Sequence, residues 1–126
     1  MLSTILLTNW NEFENFSGDS VSAILQESSN IELIVIDNGS TDASIEAFVE
    51  LQQNFKENFN FIQLNKNFGS SIARNIGIEV SKGDRIFLLD GDIHYVTGTI
   101  GFYNQVFDHV SKVMKVGCVG YNDWER

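Results

Sequence analysis

The sequence predicts an α/β fold: three layers, α/β/α, around a mostly parallel sheet. Three observations lead there. Short apolar, β-branched runs alternate with segments whose apolar residues recur at helical spacing, as in a parallel sheet wrapped on both faces. The runs end in Thr, Asp, Asn or Gly, which make turns and cap helices. The 126 residues are 43% hydrophobic, 20% charged and include ten Phe, which suits one globular domain with a real core.

Ser3 to Thr8 reads as the first strand and runs into the polar loop Thr8 to Asn11, which holds Trp10. A short helix is expected over about 19–27, capped by Asp19 or Ser20, with Val21, Ile24 and Leu25 as its stripe. Ile31 to Ile36 is a second buried strand, and Asp37 to Asp42 supplies its turn and the next helix cap. That helix is expected to turn Ile45, Phe48, Val49 and Phe55 inward. Phe61 to Leu64 is a third strand. Phe68, Ile72, Ile76 and Val80 then recur every four residues, a stripe expected to face the core, with Arg74 pointing away from it. Thr97 to about Lys112 reads as the last helix and Val116 to Gly120 as a fifth strand, with Cys118 as a small core residue.

The fourth strand carries the chemistry. Ile86 to Leu89 is an apolar run expected to be buried on both faces, and it ends in Asp90-Gly91-Asp92. Residues two apart on an extended chain point the same way, so the two carboxylates share one space. Two carboxylates so placed need a proton or a cation. Their hard oxygens suit Mg²⁺, Mn²⁺ or Ca²⁺, and Mg²⁺ commonly shares its shell with substrate phosphates. A simple Asp-Gly-Asp turn is the alternative. Right-handed crossovers place Thr8, Asp37 and Asp90 along one edge of the sheet, where open α/β sheets bind ligands.

At that edge, Asp37 suits either a ribose or base N–H, because a carboxylate only accepts, or the backbone of its own turn. Trp10 suits either a stacked nucleobase or a cover over the sheet edge. Arg74 suits a carboxylate or phosphate partner, or solvent. His94, two past Asp92, is a third metal ligand or an ordinary loop residue. There is no Walker-type loop, no Gly-x-Gly-x-x-Gly after a strand and no Gly-x-Ser-x-Gly elbow.

The formal net charge of −9 argues against nucleic-acid binding and against anionic lipid. A single cysteine excludes an internal disulfide and a thiolate zinc cluster. The apolar start at residues 1–8 is too short and lacks the positive charge expected of a signal peptide, and no apolar run in the sequence reaches membrane-spanning length. The expected compartment is the cytoplasm or the membrane periphery.

Four motifs together resemble the inverting family 2 glycosyltransferases with the GT-A fold, a Rossmann-like nucleotide-diphospho-sugar transferase architecture. They are Ser3-Thr-Ile-Leu-Leu-Thr-Asn-Trp-Asn11, Ile34-Val-Ile-Asp-Asn-Gly-Ser-Thr-Asp42, Asn67-Phe-Gly-Ser-Ser-Ile-Ala-Arg-Asn-Ile-Gly77 and Phe87-Leu-Leu-Asp-Gly-Asp92. The resemblance implies a nucleotide-diphosphate sugar as ligand, with Mn²⁺ or Mg²⁺. It places Thr8, Trp10 and Asp37 at base and ribose, Arg74 near base and pyrophosphate, and Asn38 among the nucleotide-sugar-binding residues. Asp90 and Gly91 would lie by the donor, and Asp90 and Asp92 would match the family's metal-binding Asp-x-Asp. Trp10 stands where the family usually has Tyr, and Leu7 where it has Pro.

The resemblance covers the N-terminal, nucleotide-binding half of a typical member. Residues 1–126 are therefore expected to form a single domain without the acceptor-binding half, associated with that half or as a homodimer. The family's general base lies beyond the fifth strand, and no motif identifies Asp123 or Glu125 as that base. Hexosyl transfer to an unknown acceptor is the expected activity. The alternative is a non-catalytic nucleotide-sugar-binding or partner domain. A receiver-like phosphoacceptor domain fits poorly, since Asn9 and Asn11 follow the first strand and no lysine follows Val119.

Overall fold

The computed structural model describes residues 1–27, 30–55 and 57–119. Residues Met1–Val96 form one compact unit, and a second begins at Thr97.

The first unit is built on four strands: β1 (Ser3–Asn9), β2 (Ile31–Asp37), β3 (Phe59–Gln63) and β4 (Arg85–Asp90). They lie in the order β3-β2-β1-β4, and every pairing is parallel. Parallel neighbours need crossovers. These are supplied by α1 (Gly18–Gln26), α2 (Ser44–Asn54) and α3 (Ser70–Val80). A single π-helical turn, Phe13–Ser17, precedes α1. β1 is buried along its whole length, as expected of a central strand.

The register fixes the edge. Thr8 stands opposite Asp90 on one side, and Asn9 opposite Asp37 on the other. The loops after β1, β2 and β4 therefore leave from one end of the sheet, as the sequence predicts.

The two faces are covered differently. On one, Phe48 of α2 sits over Phe61, with ring centroids 5.3 Å apart, and meets Phe13 edge-on at 4.8 Å. On the other, Leu6, Ile34 and Ile36 pack with Ala73 of α3, flanked by Ile62, Leu64 and Ile76.

The structure corrects several expectations. The buried residues of α3 are Ala73 and Gly77, whereas Phe68, Ile72 and Val80 are exposed. The helix turns its small residues inward because it lies close to β1: a Cβ on Gly77 would sit 2.1 Å from Leu6 Cδ1. Val49 and Phe55 are likewise exposed, leaving Phe48 as the fully buried hydrophobic of α2. β4 is not buried on both faces. Among the described residues it pairs with β1 alone and ends the sheet, and Ile86 and Leu88 are 38% and 53% exposed.

In the second unit α4 runs Thr99–Ser111. Residues 116–119 form no strand, and Gly120, the last residue of the expected fifth strand, lies outside the described residues. Cys118 is exposed rather than a core residue. Among the described residues, no helix is long and apolar enough to cross a membrane.

The contact between Gly77 and Leu6 is testable. Gly77→Ala should lower stability by about 1–3 kcal/mol through overpacking, read from the urea midpoint at unchanged m-value. Shortening the obstructing side chain with Leu6→Val in the same chain should recover part of that loss.

Candidate nucleotide-sugar site

The loops at the C-terminal edge enclose an open cavity of about 410 Å³. Thr8 and Trp10 line it from the exit of β1, and Asn38 from the exit of β2. Arg74 reaches it from α3, and Asp90, Gly91 and Asp92 from the end of β4. Of the candidates named above among the described residues, all are thus on the wall except Asp37 and His94.

Asp37 is 0% exposed. Its Oδ1 accepts from Asn9 Nδ2 at 3.0 Å and from Ser40 Oγ at 2.6 Å, and its Oδ2 accepts from Ser40 N at 2.8 Å. A buried carboxylate is tolerable only when so supplied with donors. Asn9 in turn accepts from Ser17 Oγ at 2.6 Å. Asp37 therefore organises its own turn in this structure, and its neighbour Asn38 is the residue on the wall.

Asn38 also locks the third loop. Its Oδ1 accepts from Phe68 N at 3.0 Å, and its Nδ2 donates to Gly69 O at 3.1 Å. Gly39, at φ 77°, allows a close crossing there: a Cβ would lie 2.5 Å from the Cα of Lys66. No side chain fits that space, and the left-handed φ favours glycine independently.

Gly91 is constrained in the same way at the other wall. A Cβ there would meet Thr8 O at 2.5 Å, so the two strand ends touch because nothing stands between them. The chain beyond Asp92 is pinned to α1. Ser20 Oγ donates to Ile93 O at 2.9 Å, Tyr95 N donates to Ser20 Oγ at 2.9 Å, and the Tyr95 hydroxyl bonds Glu27. Asp92 thus leaves a fixed backbone and is exposed to the cavity.

Arg74 pairs with Asp90 through Nη2 and Oδ1. Both side chains are partly exposed, at 32% and 46%, so the pair adds little to stability. Arg74 Nε is buried and makes no hydrogen bond among the described residues. His94 lies against Phe16, with ring centroids 4.7 Å apart.

Among the described residues, no group of three or more His, Cys, Asp or Glu is placed to hold a metal. The protein offers the carboxylates of Asp90 and Asp92, one oxygen of which is already taken by Arg74. That donor set fits Mg²⁺ or Mn²⁺ sharing its shell with phosphate oxygens and water, not a closed protein cage.

Asn9, Glu12, Asn67, Gly69 and Ser70 also line the cavity and were not singled out as site residues from the sequence. Asn67 to Ser70 sit in the third of the quoted motifs, so the signal was present without a role attached. Asp123 and Glu125 lie outside the described residues.

Residues 4–101 match the family model described as glycosyl transferase family 2. The teichoic acid poly(glycerol phosphate) polymerase of Staphylococcus epidermidis is 32% identical over 106 residues, 84% of this chain and 15% of the polymerase. Among solved structures, S. aureus TarS 1-349 in complex with UDP-GlcNAc superposes with a TM-score of 0.72 at 22% identity, over 86% of this chain and 32% of its own. The mannosyltransferase PcManGT from Pyrobaculum calidifontis, in complex with GDP-Man and Mn²⁺, gives 0.69 at 18% identity, over 78% and 30%. The fold is therefore GT-A, and the chain spans a third or less of these three relatives' lengths.

Asp37→Ala should cost about 2–3 kcal/mol by leaving the buried Asn9 and Ser40 donors unpaired. The check is urea unfolding of ligand-free protein. Unchanged stability with weakened ligand binding would assign Asp37 to the ligand instead.

Proposed function

The chain belongs to glycosyl transferase family 2, and from that premise we propose that it binds a nucleotide-diphosphate sugar in the edge cavity. The bound sugar is held there for metal-dependent transfer to an acceptor. The observation that carries this reading is the convergence of an exposed indole, an arginine and two carboxylates on one cavity, each suited to a different part of such a ligand.

Trp10 stacks on the base. Thr8 and Asn38 offer polar groups to base and ribose. Arg74 presents its guanidinium, already paired with Asp90 through Nη2, to the diphosphate. Asp92, free of that pairing, is the principal metal ligand, and Asp90 lies towards the ribose or the metal. A divalent cation bound here would neutralise the diphosphate and stabilise it as the leaving group. Asp37 acts at one remove, by holding the turn that carries Asn38. The relatives support the ligand class: TarS is seen with UDP-GlcNAc and PcManGT with GDP-Man and Mn²⁺.

Calorimetry against UDP-, GDP- and dTDP-sugars, with Mn²⁺ and with EDTA, tests the reading. One nucleotide series should bind with Mn²⁺, and both EDTA and Asp92→Ala should weaken it about tenfold or more, the worth of one lost charged contact. No binding in any series, or affinity indifferent to metal and to Asp92→Ala, would overturn it. Tight binding without turnover on any acceptor would leave a nucleotide-sugar-binding domain that does not catalyse.

A further inference from the structure

Trp10 is 48% exposed on the cavity wall, yet both of its neighbours are anchored to a loop about thirty residues away. Asn9, only 1% exposed, donates to Asp37 and Ser40. Asn11 has a left-handed backbone, φ 55°. Its Oδ1 accepts from Thr41 N at 2.8 Å and Asp42 N at 3.1 Å, and its Nδ2 donates to Thr41 Oγ1 at 3.2 Å. Its own N–H donates to Ser40 Oγ at 2.9 Å.

The Asn11 side chain does not line the cavity. Its hydrogen bonds to Thr41 and Asp42 lie at the exposed surface, where such bonds add little to global stability. What they do is fix the one residue whose backbone turns the chain directly after Trp10. We propose that Asn11 is a positioning residue: it clamps the β1 loop to the β2–α2 turn and so presets the Trp10 indole for the nucleobase. This rests on the nucleotide-sugar reading above and deepens it. An aromatic already held in its bound pose gives up less freedom on binding than one that must be ordered.

The clamp has two separable parts. Asn11→Gly keeps the left-handed backbone and removes every side-chain bond. Asn11→Asp keeps an acceptor for the two N–H groups and tolerates the same backbone. The sequence has two tryptophans, so a Trp124→Phe background leaves Trp10 as the sole indole reporter.

In that background, the nucleotide sugar bound by the parent protein should bind about tenfold more weakly to Asn11→Ala and Asn11→Gly. Time-resolved anisotropy should show a more mobile indole in the same two variants. Asn11→Asp should restore both. Binding of Mn²⁺-pyrophosphate, which has no base, should stay the same throughout. Parent-like affinity and anisotropy in Asn11→Gly would overturn the proposal, as would an equal loss of pyrophosphate binding. A parent protein that binds none of the UDP-, GDP- or dTDP-sugars would remove the functional reading and this inference with it; parent binding that Asn11→Gly matches removes this inference alone.

Discussion

A carboxylate sealed from water is the constraint around which the ligand-binding end is arranged. Asp37 has no exposed surface, and an acceptor so buried must be met by donors. They come from the neighbouring strand and from its own turn: Asn9 at the end of β1, and the hydroxyl and N–H of Ser40. Ser17, at the end of the π-helical turn, supports Asn9 from behind. Three short segments thus share one polar knot. Nothing in that knot touches the cavity except Asn9, yet it determines where Trp10, Asn38 and the N-terminus of α2 stand.

Close approach is the second device. β1 is central and flanked by parallel partners, so its exit is crowded on both sides. Glycines relieve the crowding at Gly91, where β4 ends against Thr8, and at Gly39, where the β2 turn crosses Lys66. Both hold the walls together by lacking a side chain. The result is a rigid base on which the more exposed groups, Trp10, Arg74 and Asp92, can be varied without disturbing the sheet, as is usual for sites at strand ends.

Much of this was legible in the sequence, for identifiable reasons. Four apolar runs ending in turn residues announced strands that stop together, and parallel connections have essentially one hand. Hence the placing of Thr8, Asp37 and Asp90 along one edge of the sheet needed no coordinates. The face of α3 was misread because apolar spacing marks Ile72 and Val80, whereas helix-to-sheet distance is set by Ala73 and Gly77. Burial of β4 was misread because an apolar run does not say whether its strand lies inside a sheet or at its edge. Asp37 has two sound readings in sequence, and only Asn9 and Ser40, one of them 28 residues away, decide which partners it takes.

The bare side of β4 has a consequence for handling the molecule. Among the described residues β4 has no partner on its outer side and carries exposed Ile86 and Leu88, and such an edge is a template for sheet extension between copies. A surface with a formal charge of −9 holds such copies apart by mutual repulsion, but only over a distance set by the surrounding electrolyte, roughly 10 Å at 0.1 M salt. The expected consequence is self-association that grows with ionic strength, weakest in dilute buffer and strongest in concentrated salt.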